Sequence, residues 1–295
     1  MTAPRQILEG TTYLVTRRCA QRQLLLSPSE LVNEVFLYVL AVAAARFGIL
    51  VHAYCVLSNH FHLVVTDPEA RLPAFHQFLD GLVARALNAA HGRWEAFWAP
   101  NSYSAVALTT PSDIVDKAAY TLSNPVLAGL VRSARQWPGL WSAPERIGGQ
   151  PIAVRRPDHF FDPDGTLPDE ATLQLAPPRG FASISDFHEQ LTAALAVLEA
   201  EAVREHRGGF LGSARVLAQR PTSRPASIEP RRTMKPRVAA RDKWKRIEAL
   251  GRVVEFVAAY RAAWLARRSG KSRVIFPSGT YQLRVVHGVP CAAPG

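Results

Sequence analysis

The sequence predicts an α+β fold: a ferredoxin-like (RRM-like) antiparallel sheet with helices on one face, followed by a mainly helical, basic C-terminal extension. Hydrophobic periodicity gives the order β-α-β-β-α-β and then a helix, which is the ferredoxin-like order. The composition changes after Trp141, where proline-rich stretches begin. A surplus of lysine and arginine near the C-terminus marks the extension as basic.

The first two predicted elements are a strand and a helix. Residues 11–19 alternate apolar and polar side chains, as a half-buried strand does. Residues 27–30 offer N-cap side chains for a long apolar helix that ends near Gly48. The apolar run 35–45 within this helix is too short to cross a bilayer, so we expect a buried helix and no membrane association.

The next predicted elements complete the sheet. Residues 49–57 and 60–66 read as two strands joined by a tight two-residue turn. Residues 72–91 carry apolar side chains at helical spacing on one stripe. Residues 94–108 resemble a strand or a pair of strands, rich in aromatic side chains.

Composition bounds the class of protein. Hydrophobic residues make up 48% of the 295 residues, enough to build a core. Three widely spaced cysteines support neither a disulfide framework nor a zinc ribbon, and the first ten residues lack the apolar stretch of a signal peptide. We therefore expect a cytoplasmic protein.

The charge is strongly positive and unevenly distributed. The chain has 35 Lys+Arg against 24 Asp+Glu, a net charge of +11. The segment 204–273 alone has 19 basic and five acidic residues, so the remainder is slightly acidic. Such a segment favours a polyanionic partner, most often nucleic acid, and predicts association with the nucleoid.

The same observations predict a division of the chain into a sheet domain and an extension. The segments are a sheet domain at 1–145, a Pro-rich linker at 146–183, a helical segment at 184–218, a flexible basic linker at 219–239, and a basic amphipathic helix with a closing strand region, the predicted DNA-binding region, at 240–290.

Two histidines in the second strand of the predicted hairpin are the first candidate site. Side chains alternate along a strand, so His60 and His62 face the same side while Phe61 and Leu63 face the core. A metal site explains two imidazoles on one face. A pair of histidines satisfied by hydrogen bonds at a strand edge explains them equally well, and nine histidines in the chain make a chance pair plausible.

A tyrosine and an asparagine on the third helix are the second candidate. The helix opens at Thr110 and should end near Pro125. Tyr120 and Asn124 are four residues apart and share a helix face. Taken alone, Tyr120 reads as a packing residue and the Asn-Pro pair as a helix stop.

Together these residues closely resemble the single-tyrosine HUH transposases, the transposase IS-like domain of insertion sequences, and within them the REP-associated tyrosine transposases. The resemblance covers about residues 8–145. The matching blocks are Ala53-Tyr54, Asn59-His60-Phe61-His62-Leu63-Val64, Tyr120, Asn124-Pro125-Val126 and Ala128-Gly129-Leu130-Val131, with Trp137 and Trp141-Ser142 after them.

The resemblance implies an enzyme that cleaves and rejoins single-stranded DNA, preferably hairpin-forming DNA. His60 and His62 would hold Mg²⁺ or Mn²⁺ against a scissile phosphate, with Asn124 as a third ligand. Tyr120 would attack the phosphate and become joined to the 5′ end. A 3′-OH would later reverse the joint without ATP. The resemblance leaves open whether Tyr120 acts within its own chain or across a homodimer.

The chain departs from the family pattern at three positions. Relatives often have Met-Pro where this chain has Leu57-Ser58, and an aliphatic residue where it has Thr121. Their third metal ligand is commonly Gln or His, where this chain offers Asn124. No catalytic group is lost by these changes.

The extension carries the predicted DNA contacts. The helix predicted from residue 240 begins with cations around an indole, a composition suited to phosphates and stacked bases. The DNA-binding candidates are Arg241, Lys243, Trp244, Lys245 and Arg246. An ordinary solvated helix with Trp244 in the core explains the same residues.

Two alternative functions compete with the transposase interpretation. A domesticated, non-catalytic nucleic-acid-binding regulator would share the charge and the sheet, but binding alone does not require His60, His62 and Tyr120. A metal-dependent hydrolase would use the histidines with a water and would not require Tyr120.

Overall fold

A five-stranded sheet forms the centre of the protein in the computed structural model, within the residues it describes, 4–226 and 236–293. The strands are β1 (Thr11–Arg18), β2 (Leu50–Leu57), β3 (His60–Asp67), β4 (Ser104–Leu108), β5 (Ile152–Arg155), β6 (Glu170–Leu173) and β7 (Val238–Ala239). The helices are α1 (Glu30–Phe47), α2 (Leu72–Ala90), α3 (Pro111–Leu127), α4 (Ile184–Glu205), α5 (Ser213–Leu217), α6 (Lys243–Arg268) and α7 (Gln282–His287).

The strand order in the sheet is β2-β3-β1-β4-β7. The first four strands are antiparallel, and the register places Thr16 of β1 opposite His62 of β3. The last strand, β7, pairs with β4 in parallel. The α+β class is confirmed, but the predicted purely antiparallel sheet is wrong, because a distant segment of the extension adds β7 at the free edge of β4.

Helices α1 and α2 cover one face of the sheet. Phe61 points into this face, where its ring lies edge-on to Phe36 of α1 at 5.2 Å and stacks on His76 of α2 at 6.3 Å. The Ser29 hydroxyl accepts a hydrogen bond from the Val32 amide and caps α1. Apolar side chains from both helices surround the fully buried Phe61.

Helix α3 covers the opposite face, where His62 lies against Tyr120. The predicted placement of helices on one face therefore needs correction. The apolar stripe of α3 needs cover, and the face left open by α1 and α2 provides it. The helix also continues past Pro125 to Leu127, so Asn124 lies inside its last turn and not at its end.

Two tryptophans and a serine fasten α3 to the edge strand β2. The Trp137 indole donates to the carbonyl of Val56 at 3.0 Å, and the Trp141 indole donates to the carbonyl of Leu122 at 2.9 Å. The Ser142 hydroxyl accepts from the amide of Tyr54 at 2.8 Å. The segment that follows α3 thus satisfies backbone groups of the sheet edge and holds the helix end in place.

The extension packs into the same core as the sheet. The core contains Phe187 and Leu191 of α4 and Leu173 of β6 together with side chains of α1. The segment 146–183, predicted as a Pro-rich linker, contains the β5–β6 hairpin, which packs on α1. Turn-forming prolines there flank short strands, and tertiary contacts with α1 decide their conformation.

The second predicted linker, 219–239, lies partly outside the described residues, because 227–235 are not described. Its described ends contact the sheet: the Ser58 hydroxyl donates to the Gln219 amide oxygen at 3.1 Å, and β7 pairs with β4. No helix among the described residues is both long and apolar enough to cross a membrane.

Helix α6 packs through a different face from the one that its apolar pattern indicates. Ala249, Phe256 and Ala263 are its buried residues, each seven positions from the next, whereas Ile247 and Val254 are exposed. The predicted closing strand over 273–287 is also wrong: Gln282–His287 forms the short helix α7.

The carboxylate of Asp113 joins α3 to the start of the α6 segment. Its Oδ2 accepts hydrogen bonds from the Thr109 hydroxyl at 2.7 Å and from the amide and hydroxyl of Thr110 at 3.0 and 2.7 Å. Its Oδ1 accepts from the Arg241 amide at 2.8 Å. Burial raises the pKa of this carboxyl, but these hydrogen bonds outweigh burial, so its pKa lies below the ordinary value.

We predict that Asp113→Asn lowers the free energy of unfolding at pH 7 by about 1–3 kcal/mol, because one amide cannot accept all four bonds. A folded pKa below that of the unfolded chain gives stability that is present above about pH 4 and is lost as pH falls through the folded pKa. The difference between wild type and variant should therefore shrink in acid. Denaturant unfolding from pH 7 to pH 2.5 measures this.

The matched control is Asp158→Asn, which changes an exposed carboxylate and should shift stability by less than about 0.5 kcal/mol. A wild type whose stability does not depend on pH below 4 would contradict the role given to Asp113.

Candidate active site

His60 and His62 lie side by side on the face of β3 that α3 covers. Their ring centroids are 4.9 Å apart, with the rings nearly perpendicular. His60 is partly exposed, whereas His62 is 5% exposed. The two imidazoles therefore form a pair at the border between the core and solvent.

His62 has one engaged and one unengaged ring nitrogen. Its Nδ1 lies 2.8 Å from the Thr16 hydroxyl oxygen, on the neighbouring strand. Its Nε2 is buried and has no hydrogen-bond partner. Burial, and to a smaller extent the charge of His60, hold the pKa of His62 well below its ordinary value, so the ring is neutral. With the proton on Nδ1, Nε2 presents a lone pair.

His60 is oriented in a similar way by its neighbour. Its Nδ1 lies 2.7 Å from the side-chain oxygen of Asn59. The Asn59 amide nitrogen donates to the carbonyl of Arg22, which fixes the orientation of the amide. Because an amide oxygen only accepts, Nδ1 of His60 carries a proton.

Tyr120 completes the group from α3. Its half-buried ring lies edge-on to His62, with 5.4 Å between centroids. The Lys117 ammonium, one turn earlier on the helix, lies 5.9 Å from the centre of the tyrosine ring. The site thus contains two imidazoles, of which His62 is neutral, together with a phenol and a nearby cation.

Asn124 is buried one turn after Tyr120, and its amide nitrogen donates to the Tyr120 carbonyl at 2.7 Å. The structure therefore brings His60, His62 and Tyr120 into contact and places Asn124 one helical turn beyond Tyr120, with its amide nitrogen bonded to the helix backbone.

The two imidazoles supply some, but not all, of the ligand atoms that a divalent metal requires. An unpartnered, buried Nε2 on a neutral imidazole is the arrangement that a metal-ligating histidine requires, with its other nitrogen held by a hydroxyl. No group of three or more His, Cys, Asp or Glu side chains suited to a metal exists among residues 4–226 and 236–293. Two imidazoles alone suit Mn²⁺ better than Mg²⁺, which prefers oxygen ligands.

The comparisons with known proteins give only distant likenesses. No protein-family model matches the chain, and no curated protein matches it. A solved structure of a REP-associated tyrosine transposase bound to a REP hairpin aligns over 47% of this chain and 81% of its own, at 19% identity and a TM-score of 0.40. A candidate transposase from Deinococcus radiodurans R1 aligns over 36% and 85%, at 21% identity and a TM-score of 0.28. Likenesses this distant assign no function to the chain.

The predicted DNA-binding residues form an exposed cluster at the start of α6. All five are exposed, and Trp244 is 73% exposed, which excludes the core position considered above. The Lys243 ammonium lies 5.8 Å from the Trp244 ring centre. The Arg241 guanidinium donates to the Asp116 carboxylate at 3.2 Å, so the cluster begins beside α3, one helical turn before Tyr120.

Two residues of the site are missing from the sequence predictions. Thr16 lies 46 residues from His62 in sequence, and only the register of β1 against β3 brings them together. Lys117 precedes Tyr120 by three residues, so the helical spacing was a usable signal for it.

We predict that Thr16→Val changes the tautomer of His62 in the metal-free protein. Valine keeps the shape of threonine but offers no hydroxyl, so the population with the proton on Nδ1 should fall and stability should drop by about 1 kcal/mol. Imidazole ¹⁵N chemical shifts report the tautomer directly.

Thr12→Val is the matched control. Thr12 is on the same strand and on the same face, and its hydroxyl bonds Thr66 at 2.7 Å and not His62. A His62 tautomer that responds equally to both substitutions would show that Thr16 has no specific effect.

Proposed function

We propose that this protein is a metal-dependent enzyme that cleaves and rejoins single-stranded DNA through a 5′-phosphotyrosine intermediate on Tyr120, as in DNA transposition or the processing of REP-type hairpins. One observation carries the proposal: the ring of His62 contacts both His60 and Tyr120, while its buried Nε2 lacks a partner. A buried nitrogen without a partner is available to a ligand, and in His62, unlike the equally unpartnered His76, it belongs to a ring that contacts both a second histidine and a tyrosine.

The metal ligands in this proposal are the two Nε2 atoms of His60 and His62 and the amide oxygen of Asn124. The Thr16 hydroxyl and the Asn59 amide oxygen bond the two Nδ1 atoms and would orient both rings toward the metal, while burial keeps His62 neutral. When bound there, Mg²⁺ or Mn²⁺ supplies positive charge that stabilises the phosphate oxygens as negative charge grows on them.

Tyr120 supplies the nucleophile. Its phenol oxygen forms a bond to phosphorus, the bond from phosphorus to the 3′ oxygen breaks, and the 3′ oxygen takes up a proton as the phenol loses one. The Lys117 ammonium lies 5.9 Å from the centre of the ring, where its positive charge would attract the anionic phosphate. Attack by a 3′-OH on the phosphotyrosine restores the phosphodiester, so the bond energy is retained.

Within a single chain, the ring of His62 contacts that of Tyr120. We therefore propose that Tyr120 acts in cis and that no exchange of helices across a homodimer is needed.

The exposed cluster at the start of α6 binds the DNA in this proposal. Arg241, Lys243, Lys245 and Arg246 would contact phosphates, and the exposed Trp244 indole offers a face for base stacking. The contact between Arg241 and Asp116 places this cluster next to α3, so one strand can reach both the cluster and Tyr120.

We predict that wild-type protein forms a covalent adduct with single-stranded hairpin oligonucleotides from the DNA beside its gene, in Mn²⁺ or Mg²⁺, and that Tyr120→Phe forms none. The phenylalanine ring keeps the packing against His62 but lacks the attacking oxygen. Denaturing gels of labelled DNA detect the adduct, and EDTA should abolish it.

The same experiment separates the enzyme from the non-catalytic regulator. DNA affinity of Tyr120→Phe should stay within about twofold of wild type. DNA that is retarded on native gels but never becomes covalent, with both metals, would favour the regulator. Product cleaved without an adduct would favour a hydrolase.

We predict that Thr16→Val weakens Mn²⁺ binding by about 10–100-fold, because the hydroxyl orients the ligating ring of His62. Electron paramagnetic resonance measures free Mn²⁺ in a titration without DNA. His62→Ala should weaken binding further and Thr12→Val should leave it unchanged; equal affinities in all four proteins would mean that the metal binds elsewhere.

A further inference from the structure

A cleft of about 1070 Å³ lies at the other end of the sheet face that carries the two histidines. It is bounded by the ends of β1 and β3, the start of α3, and α6. None of His60, His62 and Tyr120 lines it, so it is separate from the candidate active site. The extension forms one of its walls through Arg252 and Phe256.

The cleft is positively charged. The described residues that line it include four arginines, Arg5, Arg179, Arg237 and Arg252, and a single acidic residue, Glu255. An anionic ligand would lower the electrostatic repulsion among these guanidinium groups.

Arg252 pairs with Glu248 at 3.6 Å, with both side chains exposed, whereas Arg5 has only neutral partners. Its guanidinium is partly buried, donates to the carbonyls of Ala105 and Tyr103 at 3.0 and 3.2 Å, and lies 4.8 Å from the Tyr103 ring centre. No carboxylate among the described residues pairs with it. Burial, and the positive charge of Arg237, lower its pKa. Because the partners of Arg5 are neutral, its positive charge can still attract an anion.

The rest of the lining is mainly apolar, with a polar floor. Ile114 and Phe256 contribute apolar surface from α3 and α6. On the floor, His52 lies at a β-bulge and is hydrogen-bonded through both ring nitrogens, to the Ala176 carbonyl and the Thr66 hydroxyl. Cations beside apolar walls suit a ligand with both a phosphate and a flat ring, which is the chemistry of a nucleotide.

The cleft lies about as far from His62, measured along β3, as it does from Tyr120, measured along α3. Thr66 lines the cleft, and His62 lies four residues earlier on the same face of β3, about 13 Å away. Pro111 lines the cleft, and Tyr120 lies nine residues later on α3, about 14 Å away. A short stretch of extended single strand can span this separation.

We propose that this cleft binds a nucleotide segment of the single DNA strand that is cut at Tyr120, and so holds the flank of the scissile position. The inference rests on the proposed function for the identity of the strand, and on the cleft alone for nucleotide binding. Under this proposal the extension binds the strand at two places: the side of α6 that faces the cleft, and the exposed cluster at the start of α6.

Fluorescence anisotropy of labelled oligodeoxythymidylate with the full-length protein tests the proposal. We expect the double variant Arg179→Glu/Arg252→Glu to bind the strand at least 10-fold more weakly. The slope of log K against log salt should fall by about 0.7 for each phosphate that the variant no longer neutralises.

Arg155→Glu is the matched control for each single variant, Arg179→Glu and Arg252→Glu, because it makes the same charge change of two units at an exposed residue of the β5–β6 hairpin, which packs on α1 across the sheet from the cleft. It should alter strand affinity by less than twofold. A drop in affinity equal to that of either single variant would show a non-specific charge effect and overturn the proposal.

Two further measurements separate the possible failures. If saturating hairpin DNA forms the Tyr120 adduct while the double variant binds strands like wild type, the cleft proposal fails and the proposed function stands. If no adduct forms with any DNA but the double variant loses strand affinity, the proposed function fails and the cleft still binds the strand. If thymidine monophosphate binding depends on Arg179 and Arg252 while strand affinity does not, the cleft binds free nucleotides and the proposal is wrong.

Discussion

The pairing register of β1 with β3 is the constraint on which the candidate site depends. It places Phe61, Leu63 and Val65 in the core beneath α1 and α2 and leaves His60 and His62 on the opposite face. A slip by one residue would exchange the two sets. Removing three fully buried apolar side chains from the core would cost roughly 5–9 kcal/mol, comparable to the whole stability of a domain. The register that builds the core therefore also sets Thr16 against the His62 ring.

Helix α3 depends on this register and on its own fastening. The hydrogen bonds of Trp137, Trp141 and Ser142 tie the edge strand β2 to the end of α3, and Asp113 ties its start to the α6 segment. A helix held at both ends presents Tyr120 to His62 at a defined position. Catalysis by positioned groups requires such rigidity, since small displacements of reacting atoms have a large effect on rate.

The extension is a structural part of the sheet domain and not an appendage. It contributes β7 to the sheet, α4 to the packing of α3, and the β5–β6 hairpin to the cover of α1. Its cations therefore occupy fixed positions relative to the histidines. The chain combines a candidate site in which burial keeps His62 neutral with positive surfaces beside it, an electrostatic arrangement that attracts polyanions.

The sequence by itself determined the α+β class, the shared orientation of His60 and His62, and the helical pairing of Tyr120 with Asn124, because each depends on backbone periodicity over a few residues. Only the tertiary structure decided that Thr16 orients His62, that α3 covers the face opposite α1 and α2, and that α6 buries Ala249 and Phe256 in place of Ile247 and Val254. These features rest on contacts between residues separated by 46 positions, in the case of Thr16 and His62, or by 128, in the case of Asp113 and Arg241. Local periodicity contains no information about such partners, because strand register and the choice of packing face are set by the free energy of the whole core.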